Sequence, residues 1–150
     1  MSLGSGGNQL FIHPLRWRES KSWNLLSTQN FHPPCNLLLL ESNGVMEMLS
    51  IDGGEWFDDL WLIWQIDEII RTNLFFRGER KKGVCERDFD QLVFFTGAGC
   101  DGILFAHPIN ENRVADSEVL VWHPIRDELE KAAADLQTFI ENWWTGKLSV

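Results

Sequence analysis

Tyrosine is absent from this sequence of 150 residues, and no Lys or Arg occurs between Lys21 and Arg71. Acidic residues fill that interval, namely Glu41, Glu47, Asp52, Glu55, Asp58, Asp59, Asp67 and Glu68. The net charge is -9, and a surface of this sign repels phosphate backbones, which argues against nucleic-acid binding. It attracts basic proteins and speeds their encounter. An acidic face kept for solubility explains the same charge equally well.

Long apolar runs are also missing. The longest, Leu37–Leu40 and Leu60–Trp64, are much shorter than the about 20 residues that span a bilayer. The opening MSLGSGGNQ has neither the basic nor the apolar region of a signal peptide. We therefore expect residues 1–9 to be a flexible or cloning-derived tail, residues 10–150 to form a single domain, and the protein to be cytoplasmic without a membrane partner.

Cysteines are few and catalytic signatures are absent. Cys35, Cys85 and Cys100 are odd in number and widely separated, which favours reduced thiols. Cys100, His107 and His123 do not have the spacing of zinc ligands. No G-x-S-x-G, P-loop or H-E-x-x-H occurs, and sequence-adjacent acids rarely have the separation of a working carboxylate pair. The sequence predicts a protein that is not an enzyme and that needs no metal or cofactor.

One motif has the letters of a cofactor site. Residues 97–102 read GAGCDG, which matches the G-x-G-x-x-G of dinucleotide-binding loops. Such a loop must follow a strand and open a helix whose N-terminal amides hold the pyrophosphate. Here the next residues are ILFAHPI, which are β-rich and contain Pro108. The glycines are therefore predicted to form a turn or bulge between adjacent strands.

The apolar patterns predict several short elements and a closing helix. A short helix at Leu37–Glu41 should stop at Asn43-Gly44, and a helical turn should begin at Asp67. The basic cluster Arg77–Arg87 has a glycine on either side of Lys81, which indicates a loop. Every His precedes Pro, so these pairs should end segments. Predicted strands are Met46–Ile51, Leu60–Trp64, Gln91–Phe95, Ile103–Ala106 and Glu118–Trp122, and the last helix should stop at Gly146. This mixture indicates an α+β fold.

Three stretches, taken in order, resemble the SUKH superfamily, which includes bacterial toxin-immunity proteins and a fungal regulator of cell-wall synthesis. PPCNLLLLESNG (33–44) is similar to its proline-led helix ending in Asn-Gly, and LWLIWQIDEIIRTN (60–73) to its strand followed by a helix with EII and Asn. QLVFFTGAGCDGILFAHPI (91–109) with EVLVWHPIRDELEKAAADLQTFIENWW (118–144) is similar to its glycine-rich strand pair, aromatic strand and closing helix. The resemblance covers most of residues 33–146.

The resemblance implies a central twisted antiparallel sheet flanked by helices, with a closing C-terminal helix. Periodicity alone allows that helix to start at Asp127, whereas the family pattern makes Leu129–Ala133 extended and starts it near Asp135. Asp135 is a good cap, so we expect the later start. The resemblance also implies a protein-binding function: an immunity protein that neutralises a cognate toxin by direct binding, for example a basic toxin domain of the nuclease type.

The charge pattern, rather than the family, selects the candidate binding residues. Eight Trp are present, and surface tryptophans beside acids are natural anchors for a protein partner. Two alternatives stay open: an intracellular regulatory scaffold of the cell-wall-regulator type, and a small-molecule binder with a pocket near Cys100 and His107. The predicted partner-binding residues are Asp52, Glu55, Trp56, Asp58, Asp59 and Trp61, with Asp101 as an outlying member.

Overall fold

The structure is a computed structural model that describes residues 8–12, 42–50, 56–81, 87–110, 113–114 and 118–148. Over these ranges the chain forms eight strands and two helices. In chain order they are β1 Asn8–Ile12, β2 Val45–Ser50, β3 Trp56–Ile63, α1 Ile66–Lys81, β4 Leu92–Gly97, β5 Leu104–Asn110, β6 Arg113–Val114, β7 Val119–His123, β8 Glu128–Ala133 and α2 Leu136–Trp144. The predicted mixed α+β fold is confirmed.

The described strands pair only in antiparallel fashion and form two sheets rather than one. One sheet has the order β1-β2-β3, and the other has the order β4-β5-β7-β8 with β6 beside β5. The two sheets meet where β3 ends. There the backbone N–H of Trp64 donates to the Phe95 carbonyl oxygen at 2.9 Å. Since α1 begins at Ile66, the chain leaves this edge directly after Trp64, and β3 and β4 do not form a strand pair.

The first strand begins inside the predicted tail. β1 starts at Asn8, so the tail boundary at residue 9 lies two residues too late. Asn8 pairs with Leu49 and Gln9 with Met48. Because strand pairing uses the backbone, polar side chains at these positions do not prevent it. The predicted helix at Leu37–Glu41 lies outside the described residues, as do residues 13–29 and 52–54.

The larger sheet has a hydrophobic core on each face. Along β4, Val93 and Phe95 belong to one core, and Leu92 and Phe94 to the other. Strand side chains alternate between faces, so a run of consecutive apolar residues indicates a strand that is covered on both sides. The first core also contains Phe139 of α2, and the second is an aromatic cluster in which the Phe89 and Trp122 rings lie 4.9 Å apart.

Helix α1 lies along the outer edge of β4. It contributes Ile69 to the first core and Phe76 to the second. Between them the buried amide of Asn73 donates to the Phe94 carbonyl oxygen at 2.7 Å and accepts from the Phe94 N–H at 3.0 Å. Arg77 donates to the Leu92 carbonyl oxygen at 3.1 Å. The helix thereby satisfies backbone groups that an edge strand leaves open.

The prediction of a loop for the basic cluster is wrong as far as Lys81, because α1 continues through Arg77 and Gly78 to that residue. One glycine in a helix costs only about 1 kcal/mol relative to Ala. Burial of Ile69 and of Asn73 along the helix outweighs that cost. Lys82 lies outside the described residues, and Arg87 lies in a bend.

The later elements follow the sequence closely. Gln91–Phe95, Ile103–Ala106 and Glu118–Trp122 all fall within or next to β4, β5 and β7. β8 is extended as the family pattern predicts, and Asp135 caps α2 by accepting from the Thr138 N–H at 2.7 Å. Gly146 follows the helix at φ 65°, as expected of a helix stop.

The His-Pro pairs behave differently from one another. His123-Pro124 ends β7, as predicted, but His107-Pro108 lies inside β5. The Ile109 N–H donates to the carbonyl oxygen of Gln91, the residue before β4. The backbone nitrogen of Pro108 therefore faces the opposite edge of β5. There β7 pairs only with residues 104–106 of β5. Within the described ranges, the missing N–H of Pro108 therefore removes no ladder bond.

Candidate functional site

The GAGCDG loop and the end of β3 enclose an open cavity of about 380 Å³, which we call the tryptophan slot. β3 and the residue after it contribute the apolar side chains Leu60, Trp61 and Trp64. The opposite wall is the hairpin loop between β4 and β5, with the N–H of Ala98 donating to the Ile103 carbonyl oxygen at 3.0 Å. The slot is lined by Leu60, Trp61, Trp64, Gly97, Gly99, Cys100, Asp101, Gly102, Ile103 and Leu104.

Two glycines of the motif are needed to build this slot. A Cβ on Gly97 would lie 3.2 Å from Trp64 Cζ2 and 3.2 Å from the Ile103 carbonyl oxygen. Gly99 has φ +75°, and a Cβ there would collide with Leu60 Cδ2. The predicted turn is confirmed, since the loop connects two antiparallel strands and β5, not a helix, follows it. The glycines bring the loop against the side chains of β3.

The tip of the loop presents two polar side chains. Cys100 and Asp101 are both exposed, and the Ile103 N–H donates to the Cys100 carbonyl oxygen at 3.0 Å. Asp101 has φ 51°, a left-handed conformation that Asp tolerates better than most residues. No described Lys or Arg forms an ion pair with Asp101, so its charge faces solvent at the rim of the slot.

Smaller cavities adjoin the slot on both sides. One of about 200 Å³ shares Trp61 and Trp64 with it and continues to Glu68 and Arg71 of α1. The next, of about 280 Å³, shares Glu68 and Arg71 and ends at Phe75 and Phe76. On the other side a cavity of about 270 Å³ shares Asp101 and Ile103 with the slot, and its remaining lining is His123, Pro124, Ile125 and Arg126.

The turn between β7 and β8 exposes Ile125 to solvent. Its side chain is 80% exposed. Asp127 in the same turn has φ 49° and accepts hydrogen bonds from Arg87 and from Trp122 Nε1, the latter at 3.0 Å. The Arg87 hydrogen bond first, and the Trp122 indole second, hold the pKa of Asp127 below its usual value of 3.8. The turn is therefore fixed although Ile125 contacts little.

The structure brings together two of the predicted binding residues. Trp61 and Asp101 line the same slot although 40 positions separate them. Trp56, Asp58 and Asp59 lie on β3, but their side chains fall outside the described part. Asp52 and Glu55 are likewise outside the described residues.

Leu60, Trp64 and Ile125 are surface residues of the site that the sequence pattern did not predict. Leu60 and Trp64 belong to an apolar run that reads as core, and their partial exposure follows from the end of β3 projecting beside a glycine loop. Ile125 directly follows a His-Pro pair that ends β7. Turns lie at the surface, and this position was the available signal.

Cys100 and His107 are in different surroundings. His107 is buried, stacks on Phe95 with ring centroids 4.8 Å apart, and places Nδ1 3.0 Å from the Glu118 carbonyl oxygen. It does not line the slot, whereas Cys100 does. The described residues contain no group of three or more His, Cys, Asp or Glu that could hold a metal ion.

Comparison with protein-family models, with curated proteins and with solved structures finds no match to this chain. Within the described ranges, neither helix is long and apolar enough to cross a membrane.

Proposed function

We propose that this protein is a non-enzymatic protein-binding module of the kind found among SUKH immunity proteins, and that it neutralises a toxin by direct contact. Under this proposal the described sheets form the twisted central sheet of that fold, with α1 and α2 flanking it. The supporting observation is that Trp61 and Asp101, selected from charge and composition, line one cavity. A concave aromatic surface with an acidic side chain at its rim suits a basic protein partner.

The mechanism would be occlusion. A nuclease-type toxin carries cations at its active site because its substrate is a polyanion. An acidic surface competes for the same cations, and opposite charges accelerate the encounter. The tryptophans would supply the apolar area that slows dissociation, since interface energy concentrates in buried aromatic anchors.

The experiment begins with recovery of the partner. The protein is used as bait in its native cells, the captured protein is identified and produced alone, and binding is measured by calorimetry at several salt concentrations. We expect a stoichiometric complex of nanomolar strength or tighter that weakens as salt rises. A recovered partner that binds with no salt dependence would contradict the proposed acidic face.

Charge reversal tests the acidic stretch directly. Asp58→Lys combined with Asp59→Lys should slow association about tenfold or more and flatten its salt dependence, because steering depends on the charge near the interface. Glu130→Lys is the matched control, since Glu130 is exposed on β8 and lines none of the four cavities. Unchanged affinity and salt dependence in the double variant would remove the stretch from the interface.

A small-molecule function has one observation in its favour. The slot volume of about 380 Å³ lies within the range of ligand pockets, about 300–1,000 Å³. A metabolite that binds only the native state raises the melting temperature, so thermal melts across a metabolite collection separate the two functions. Weak binding to several host proteins, with no tight complex, would instead favour the regulatory scaffold.

A further inference from the structure

The four cavities adjoin one another in a row along the surface, which we call the strip. Each cavity shares residues with the next. Asp101 and Ile103 line both the cavity of about 270 Å³ and the slot, and Trp61 and Trp64 line both the slot and the cavity of about 200 Å³. Glu68 and Arg71 line both that cavity and the one of about 280 Å³. Cavities that are not consecutive in this order share no lining residue. An elongated groove of this kind fits a narrow ligand better than a convex protein surface.

The chemistry along the strip is uneven. Its centre is apolar, with Leu60, Trp61 and Trp64 on one wall. No Lys or Arg lines this slot, and the exposed carboxylate of Asp101 stands at its rim without an ion pair to a described residue. Arg126 lines the adjoining cavity together with Asp101, but it forms an ion pair with Glu128 at 2.9 Å. Farther along, Glu68 and Arg71 form an ion pair with each other. Unneutralised charge at the centre of the strip is therefore negative.

We propose that the strip binds an extended segment of the partner that carries an apolar side chain flanked by Lys or Arg. The apolar side chain enters the tryptophan slot, and a flanking cation lies beside Asp101 or over an indole face. Cations interact favourably with both a carboxylate and the face of Trp. This inference deepens the proposed function and rests on it, because it specifies the part of a basic partner that is recognised.

A peptide selection tests this without knowledge of the partner. Random peptides displayed on phage are selected on the full-length protein and sequenced, and the most enriched peptide is synthesised for binding measurements. We expect enrichment of sequences in which Lys or Arg flanks an aliphatic or aromatic residue. Absence of enrichment, or enrichment of acidic sequences, would overturn the proposal.

Two variants locate the binding of the selected peptide. Trp61→Ala should weaken it about 30-fold, the size expected of a central aromatic anchor. Asp101→Asn removes the charge but keeps a residue type that tolerates the left-handed conformation, and it should weaken binding several-fold. Glu130→Gln, outside the strip, should leave it unchanged. Unaltered affinity in both strip variants would place the peptide elsewhere and overturn the proposal.

Cys100 offers a readout that does not depend on a substitution. Its exposed thiol lines the slot, so bound peptide should slow its alkylation by iodoacetamide, measured by mass spectrometry on the fragment that contains it. A peptide that binds without protecting Cys100 would contradict the slot assignment. The selection and the partner recovery can fail independently: a toxin that binds outside the strip retains the proposed function but not this inference.

Discussion

Asn73 shows how one side chain can stand in for a neighbouring strand. Its amide presents a donor and an acceptor to the backbone of Phe94 and also donates to the Ile69 carbonyl oxygen of its own helix at 2.8 Å. These are the groups that a further strand would offer to β4. The residue is only 2% exposed, and a buried amide of this kind must be paired in full.

Replacement of Asn73 should therefore be among the costly single changes. Asn73→Ala leaves the N–H and carbonyl oxygen of Phe94 without their partner, at about 1–3 kcal/mol for each buried group. We expect the free energy of unfolding to fall by about 2–4 kcal/mol, measured by urea denaturation. Leu74→Ala is the control, because Leu74 is the next residue and is 47% exposed. A similar loss of unfolding free energy in both variants would mean that the hydrogen bonds of the Asn73 amide add no measurable stability.

Asp135 links the stability of α2 to pH. The hydrogen bond from the Thr138 backbone N–H is the main cause that lowers the pKa of Asp135 below its usual 3.8. A carboxyl whose pKa is lower in the folded state stabilises the fold above its unfolded pKa. That contribution disappears as the pH falls through the folded pKa. The stabilisation is thus present at neutral pH and lost in acid.

An uncharged cap separates the hydrogen bond from the titration. Asp135→Asn retains the side-chain oxygen but not the charge, which also favours a helix N-terminus. We expect the variant to melt below the wild type at neutral pH, with the difference shrinking as the pH falls below the usual pKa of 3.8 and through the lower folded pKa. Melting curves across this range provide the measurement, with Glu130→Gln as control. A difference that stays constant with pH would show that the carboxylate charge contributes nothing.

At the scale of elements, the glycine loop and the end of β3 form one unit. Gly99 combines a positive φ with close approach to Leu60, and the two requirements are separate. The first disfavours most L-residues on conformational grounds, and the second requires the Leu60 side chain to move when a Cβ is added. The loop therefore fixes the width of the tryptophan slot through its backbone.

Adding a single methyl group tests this unit. Gly99→Ala should destabilise the protein by about 1–2 kcal/mol from conformation alone, and more once Leu60 is displaced. Gly78→Ala is the matched control: Gly78 lies in α1, and nothing stands within 4 Å of an added Cβ. That change should stabilise the protein by about 0.5–1 kcal/mol. Equal effects of the two substitutions on denaturant midpoints would contradict the geometry.

The β4–β5 hairpin and helix α1 show why some elements are predictable from the sequence and others are not. The β4–β5 hairpin was foreseen because its strands are apolar throughout and a glycine cluster separates them. The length of α1 was not, since its residues serve two cores: Ile69 faces one and Phe76 the other. Such a helix has no single apolar stripe, so periodicity reveals only its first turn. Gly78 then imitates a loop signal.

The candidate site was predictable only in part. Trp61 and Asp101 were predicted as binding residues from the charge and aromatic content, both of which can be read from the sequence. Their proximity depends on the end of β3 reaching the hairpin through Trp64 and Phe95. That is a contact between segments far apart in the chain, and neither residue spacing nor local propensity encodes it. The exposure of Ile125 could be expected from the His-Pro pair before it, but the position of its turn beside the glycine loop could not.

At the scale of the whole molecule, the larger sheet connects two cores that would otherwise be separate. Adjacent residues of β4, β5 and β7 alternate between them: Phe105 belongs to one and Ala106 to the other, and Val121 and Trp122 divide in the same way. A strand cannot lose its order on one face only. The two cores should therefore unfold together.

Matched truncations test that coupling. Phe89 and Phe139 are 1% and 0% exposed and lie in different cores. Phe89→Ala and Phe139→Ala should each cost about 3–5 kcal/mol. Each should also shift one common transition, followed by near-UV circular dichroism for aromatic packing and by far-UV circular dichroism for backbone order. Separation of the two signals in either variant would mean that one core melts first. In that case the slot, whose Trp64 packs against both cores, should lose peptide binding at the lower transition.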